Sequence, residues 1–513
     1  MKKILCILLS LIMIFSLCAC GSSASESATV TETETEAVST ETAEASERAS
    51  TDGAPSGDMP GDPPEAAPSE GMGTPPGDPP DGNGGPGGTP PGDPPSGGMP
   101  GGAPGSSSAD IDYSGAVEIS SADSQSGQVY ASSISDESAL LISTSDDVSI
   151  TDPTVTKSGD SDGGDNCNFY GLNAAVLVKD GTTTTITGGT ITSDAEGANG
   201  VFCYGGNGGQ NGASGDGTTL IIRDTSIVTT GDGSGGIMTT GGGVTYAYDL
   251  TVETSGRSSA AIRTDRGGGT VVVDDGSYTS NGLGSPAIYS TADITVSNAT
   301  LTSNLSEGVC IEGLNSITLN DCDLTANNTQ CNGNATFLDT IMIYQSMSGD
   351  AASGTSSFTM TGGSLTSKNG HVFHVTNTSA VITLEGVEIV NEDEENILLS
   401  VCADGWSGGS NIATLKAIAQ KLVGAIKVGS DSSLTLELTG GSTFEGCIDG
   451  SIVNAKGETV STEVGIVSVT LDATSTWTLT GDSYVTEFNG DASNVISNGY
   501  SLYVNGVALT GTK

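Results

Sequence analysis

The densest grouping of chemistry-bearing residues is Arg263-Thr264-Asp265-Arg266. A guanidinium beside a carboxylate can hold the hydroxyl or acid groups of a ligand. Asp274, Asp275 and Glu312 follow within about two repeats of the pattern described below and could add carboxylates. Phe202, Tyr204, Tyr289 and Tyr344 recur at related positions of successive repeats. A flat ring covers the apolar face of a sugar, while a phenol also offers a polar handle. Phe202, Tyr204, Arg263, Asp265, Tyr289, Glu312 and Tyr344 are therefore the expected carbohydrate-binding face, and a polysaccharide or host-surface glycan the expected partner. No residue is assigned a catalytic role.

Metal chemistry has weaker support. His371 and His374 are the two histidines of the chain. Three apart on a strand, they are expected on opposite faces, where they cannot share an ion. No Cys-x-x-Cys pair is present, so no zinc site is expected. Cys6, Cys18 and Cys20 lie in the N-terminal segment, leaving Cys167, Cys203, Cys310, Cys322, Cys331, Cys402 and Cys447. Several occupy apolar strand positions and read as buried thiols. The acidic runs DSDGGDN (160–166) and NEDEEN (391–396) fall in predicted loops. Calcium is the ion such carboxylates would take, although the first run lacks the terminal Glu of a calcium loop. No other cofactor is expected.

The elements that must position these residues are repeats. Each unit has an apolar residue, a short polar step holding Gly, Asn or Asp, then a second apolar residue. The pairs are Ile150/Val155, Ile186/Ile191, Ile222/Ile227, Val273/Tyr278, Val296/Leu301, Leu319/Leu324, Met360/Leu365 and Leu384/Ile389. A further strand precedes each pair, beginning at Leu140, Val176, Val201, Ile237, Ile262, Ile288, Val309, Ile341, Val372 and Ile397. Such short units cannot bury their apolar residues alone. Stacked about 4.8 Å apart, they share one core and pair every backbone edge. The fold class expected is all-β, a right-handed parallel β-helix solenoid over 109–513. Alternation along the leading strand then points Phe202, Arg263, Tyr289 and, further on, Phe373 and Val375 outward. The stretch 414–429 has Leu415, Ile418, Leu422 and Ile426 near helical spacing, but Gly424 and the strand rhythm that follows favour strands.

Composition constrains the partners. Asp and Glu number 62 against 15 Lys and Arg, a formal charge of −47. Phosphate recognition needs a clustered basic surface, so nucleic acid is excluded as a natural partner. Residues 1–20 read as a secretion signal: Lys2 and Lys3, the apolar run Ile4 to Leu17, then Leu17-Cys18-Ala19-Cys20. Residues 21–108 are Ser/Thr/Glu-rich and then Pro/Gly-rich, with PPGDPP at 75–80 and 90–95. Such a composition cannot support a core and predicts a disordered linker.

Two resemblances add to this reading. Leu17-Cys18-Ala19-Cys20 resembles the lipobox of bacterial lipoproteins, which implies lipidation of Cys20. The chain would then sit on the extracellular face of the cell membrane, held by that N-terminal lipid. The segments LTLELTGGSTFEGCI, TSTWTLTGDSYV and SNGYSLYVNG resemble the C-terminal rungs of adhesin-like, pectate-lyase-like β-helix surface proteins. That resemblance spans about 110–513. It implies a non-catalytic carbohydrate-binding or adhesive protein. It leaves two alternatives: a polysaccharide lyase or hydrolase acting on acidic glycans, with Arg263 as the base, or a structural surface protein with no glycan ligand.

Overall fold

The computed structural model describes residues 111–162, 164–207, 214–346 and 348–513. The signal, Cys20 and the linker lie outside the described residues. What is described is a parallel β-helix, as the repeats require. Its first face is a sheet of 13 strands in which every strand pairs with the next one round the coil. The inward column runs Leu140, Val176, Val201, Ile237, Ile262, Ile288, Val309 and Ile341, in unbroken register. The second and third faces carry the apolar pairs. Ile186, Ile222, Ala247, Val273 and Val296 stack on one face. Ile191, Ile227, Val252, Tyr278 and Leu301 stack on the other. These side chains belong to one continuous buried core.

The corner between those two faces explains the polar step in the repeat. Asp152, Asp224, Asp249, Asp275, Asn298 and Asp321 have φ between 48° and 68° there, and Gly188 and Gly362 adopt the same hand. Asp and Asn tolerate the left-handed region through local hydrogen bonds, and Gly has no Cβ to clash. At the corner leading back to the first face, Ser234, Ser259 and Ser285 form a buried ladder. The Ser234 amide donates to Ser259 Oγ at 2.9 Å, and the Ser259 amide donates to Ser285 Oγ at 2.8 Å. Each hydroxyl also donates to a carbonyl of the preceding coil. The ladder satisfies backbone groups that the turn would otherwise leave unpaired.

Two features differ from the sequence reading. Phe373, not Val372, stands in register with Ile341, and Leu399, not Ile397, follows Phe373. Phe373 and Val375 are thus inward and buried, which corrects their expected outward placement. A one-residue slip exchanges the two faces of a strand. The second feature is a short helix, Asp165–Tyr170, which takes in the last two residues of the first acidic run, Asp165 and Asn166, expected in a loop. The stretch 414–429 is strand, as expected, over Asn411–Ile418, Lys421–Val423 and Ala425–Val428. At the C-terminal end Leu502–Val504 pairs antiparallel with Val507–Ala508, a departure from the parallel coil.

Candidate functional site

The outer side of the first sheet carries the residues singled out from sequence. Register confirms that Phe202, Met238, Arg263, Tyr289, Cys310 and Met342 share one column. Outward does not mean exposed, however. Over the first coils the column is roofed by the helix Asp165–Tyr170. Phe169 and Tyr170 pack with Leu141, Leu177, Phe202, Tyr204 and Met238 in a second buried cluster. Phe202 is 0% exposed and Tyr204 5%. Tyr204 meets Tyr170 edge-on at 5.8 Å. Phe202 and Tyr204 are therefore not the open rings that alternation alone suggested. An insertion covers them, and they serve as packing.

Beyond the helix the roof opens into a cleft of about 180 Å³. Arg263, Asp265, Tyr289 and Tyr344 all line it, joined by Asn168, Phe169, Ser258, Asn332 and Asp350. Arg263 Nη2 donates to Asp265 Oδ2 at 2.7 Å. Its Nη1 donates to Ser258 O at 3.1 Å and to Asn168 Oδ1 at 3.3 Å. Arg266 donates from Nε and Nη2 to Asp350 Oδ1, at 3.1 and 2.6 Å. Its guanidinium lies 4.2 Å from the centre of the Phe169 ring, a cation–π contact.

Glu312 stands behind the tyrosines and is 1% exposed. Tyr289 and Tyr344 donate to its Oε2, at 2.6 and 3.2 Å, and Ser346 donates to Oε1. Glu312 thus fixes both phenols instead of lining the cleft. The Tyr344 ring in turn packs on Trp406 at 4.9 Å. Burial raises the Glu312 carboxyl above the usual range, against the donors Ser346 and Tyr289. Burial also raises Asp265, with Arg263 opposing and Asp350 assisting, to about 7.

Sequence reasoning missed Phe169, Asn168 and Asp350. Phe169 sits in the unpredicted helix. Asp350 lies in the Gly/Ser-rich stretch that follows Tyr344. Only its fold places it opposite Arg266, 84 residues away in the chain.

The histidines also depart from expectation. Both Nδ1 atoms lie 2.7 Å from the Ser400 hydroxyl, so the rings converge. His371 opens its strand directly after Gly370 at φ 77° and pairs with Asp339 of the preceding coil. Among the described residues five cysteines, Cys167, Cys203, Cys310, Cys322 and Cys402, are buried. Burial pushes the Cys203 thiol up to about 12, which leaves it inert. Among the described residues no group of three or more His, Cys, Asp or Glu is arranged to hold a metal ion. Comparison of the chain with protein-family models, with curated proteins and with solved structures finds no match.

Proposed function

We propose that the chain is a non-catalytic carbohydrate-binding or adhesive surface protein of pectate-lyase-like type. In this reading it is lipidated at Cys20 and displayed on its linker at the outer face of the cell membrane. The observation that carries the proposal is the convergence of Arg263, Asp265, Tyr289 and Tyr344 in one cleft. They come from three separate coils, and aromatic rings stand beside hydrogen-bonding groups there. Drug-sized ligands fill pockets of about 300–1,000 Å³. A cleft of about 180 Å³ suits a single sugar ring of a longer chain.

The ion pairs favour a neutral sugar over a uronate. Arg263 is held by Asp265 and Arg266 by Asp350, so an acidic ligand would have to displace a carboxylate already in place. The same pairing counts against Arg263 as a lyase base. A second reading, hydrolysis, draws on the other protonation state of the same group: burial raises Asp265 to about 7 against the pull of Arg263, so near neutrality a share of the molecules carries it as the acid that a hydrolase needs.

Binding of the full chain to a glycan array tests the proposal. Tyr289→Ala and Tyr344→Ala are each expected to weaken binding to the best neutral glycan about tenfold, roughly 1.4 kcal/mol. An array without a bound glycan, or affinity unchanged in the double variant, would rule the reading out. Release of reducing ends by the wild type and not by Asp265→Asn would establish hydrolysis instead.

A further inference from the structure

A second cleft, about 480 Å³, lies at the corner where the strand His371–Thr376 begins. Its lining includes Phe337, Lys368, His371 and the acidic run Glu392, Asp393, Glu394 and Glu395. His371 is 6% exposed and reaches this lining from the protein interior. Behind it runs a chain of polar groups. His371 Nδ1 and His374 Nδ1 share the Ser400 hydroxyl, each at 2.7 Å. His374 Nε2 faces Asp404 Oδ2 at 3.6 Å, with both side chains 0% exposed. The other Asp404 oxygen accepts from the Thr336 amide and hydroxyl and from the Gly405 amide, at 2.8, 2.6 and 2.7 Å.

Counting protons gives this chain a direction. Burial alone would raise the Asp404 carboxyl, but His374, Thr336 and Gly405 bring it below the ordinary range, so it is ionised. An ionised carboxylate against a buried ring nitrogen requires that nitrogen to carry hydrogen. In its uncharged form His374 is then the Nε2–H tautomer, and its bare Nδ1 accepts the single Ser400 proton. The Ser400 oxygen must therefore accept from His371 Nδ1–H. What remains is His371 Nε2, a bare lone pair on the ring that lines the cleft.

We propose that this cleft is a hydrolytic site for uncharged acyl esters, with His371 Nε2 as its general base. Ser400 is 0% exposed and acts as a relay, not as a nucleophile. A water in the cleft gives a proton to His371 Nε2, and its oxygen attacks the ester carbonyl carbon. His371 passes its Nδ1 proton to Ser400, and Ser400 passes its own to His374. The positive charge comes to rest against Asp404. The carbonyl–alkoxide bond then breaks, the protons run back, and His371 Nε2–H protonates the leaving alcohol. Ester and water become acid and alcohol, with no other reactant.

The relay answers an otherwise adverse environment. Burial, then the charge that His374 carries once the proton reaches it, then Lys427, push His371 down to about 3, so it does not keep a charge itself. Lys368 lines the same cleft and supplies positive charge for the developing oxyanion. The carboxylates of 392–395 repel anionic esters, which sets the class as uncharged. The inference goes beyond the glycan reading and does not depend on it.

Because the chain has two histidines, a long-range 1H–15N spectrum of the full chain contains two rings. The expected result is Nε2–H for His374 and Nδ1–H for His371. The opposite tautomer at His371 would overturn the proposal. Hydrolysis of p-nitrophenyl acetate and butyrate supplies the second readout. His371→Asn keeps an N–H toward Ser400 but has no Nε2, and is expected to lower kcat about 100-fold. Ser400→Ala should lower kcat at unchanged KM, and Ser400→Thr should restore it. Wild type and His371→Asn hydrolysing both esters at equal rates, with matching thermal melts, would also overturn it.

Discussion

The outer side of the first sheet contains two regions built on the same column of the same strands. In one, Phe202 and Met238 face the helix Asp165–Tyr170 and are sealed. In the other, one coil further along, Arg263 and Tyr289 face a cleft. The strands differ little in geometry or register between them. The difference lies in what the insertions lay over the sheet. An insertion that brings Phe169 and Tyr170 makes a dry secondary core. One that brings Asp350 leaves a polar hollow. A β-helix therefore offers the same row of outward positions on every coil, and its loops decide which become packing and which become site.

Substitutions in the two regions sharpen this contrast. The largest effect is expected in the sealed one. Phe202→Ala removes a fully buried ring and should destabilise the fold by about 3–5 kcal/mol, read from denaturant midpoints. Glycan affinity at a temperature where the variant is folded should be unchanged. A loss of affinity would mean that the two regions are one.

Next comes Asp265 in the cleft. Its folded pKa, about 7, lies above the ordinary carboxyl value in the unfolded chain, near 4. A raised carboxyl contributes stability that is present at low pH and lost as pH rises through the folded value. Relative to Asp265→Asn, which does not titrate, the wild type should lose up to about 4 kcal/mol between pH 4 and pH 7. The gap should stay flat above that window. A constant difference from pH 4 to pH 8 would show that folding does not raise Asp265.

The smallest change is Tyr344→Phe. It removes one donor to Glu312, which keeps Tyr289 and Ser346. It should destabilise by about 1 kcal/mol in urea unfolding, because the buried acceptor remains partnered. A loss beyond about 3 kcal/mol would mean that the Glu312 network fails as a unit.

Much of this was readable from residue order. Every apolar pair from Ile150/Val155 to Leu384/Ile389 occupies the matching positions of the second and third faces. Regular spacing of Val, Ile and Leu carries that information, since each coil must repeat the core geometry of the last. The outward column was correct through Met342 and slipped at Val372. There two apolar residues stand side by side in HVFHV, and pattern alone cannot choose between them. The histidines were misplaced because alternation sets only the side of the sheet from which a side chain leaves, and both rings reach the same Ser400 hydroxyl.

The sequence by itself determined the coil, its three faces and the Asp, Asn and Gly corners, because those follow from local periodicity and backbone sterics. Tertiary structure alone decided which outward residues are wet, that Arg266 meets Asp350, and that His371, Ser400, His374 and Asp404 form one chain. These contacts join insertions to coils far apart in sequence. Their geometry depends on how a loop folds back over the sheet, a choice that no repeating signal records.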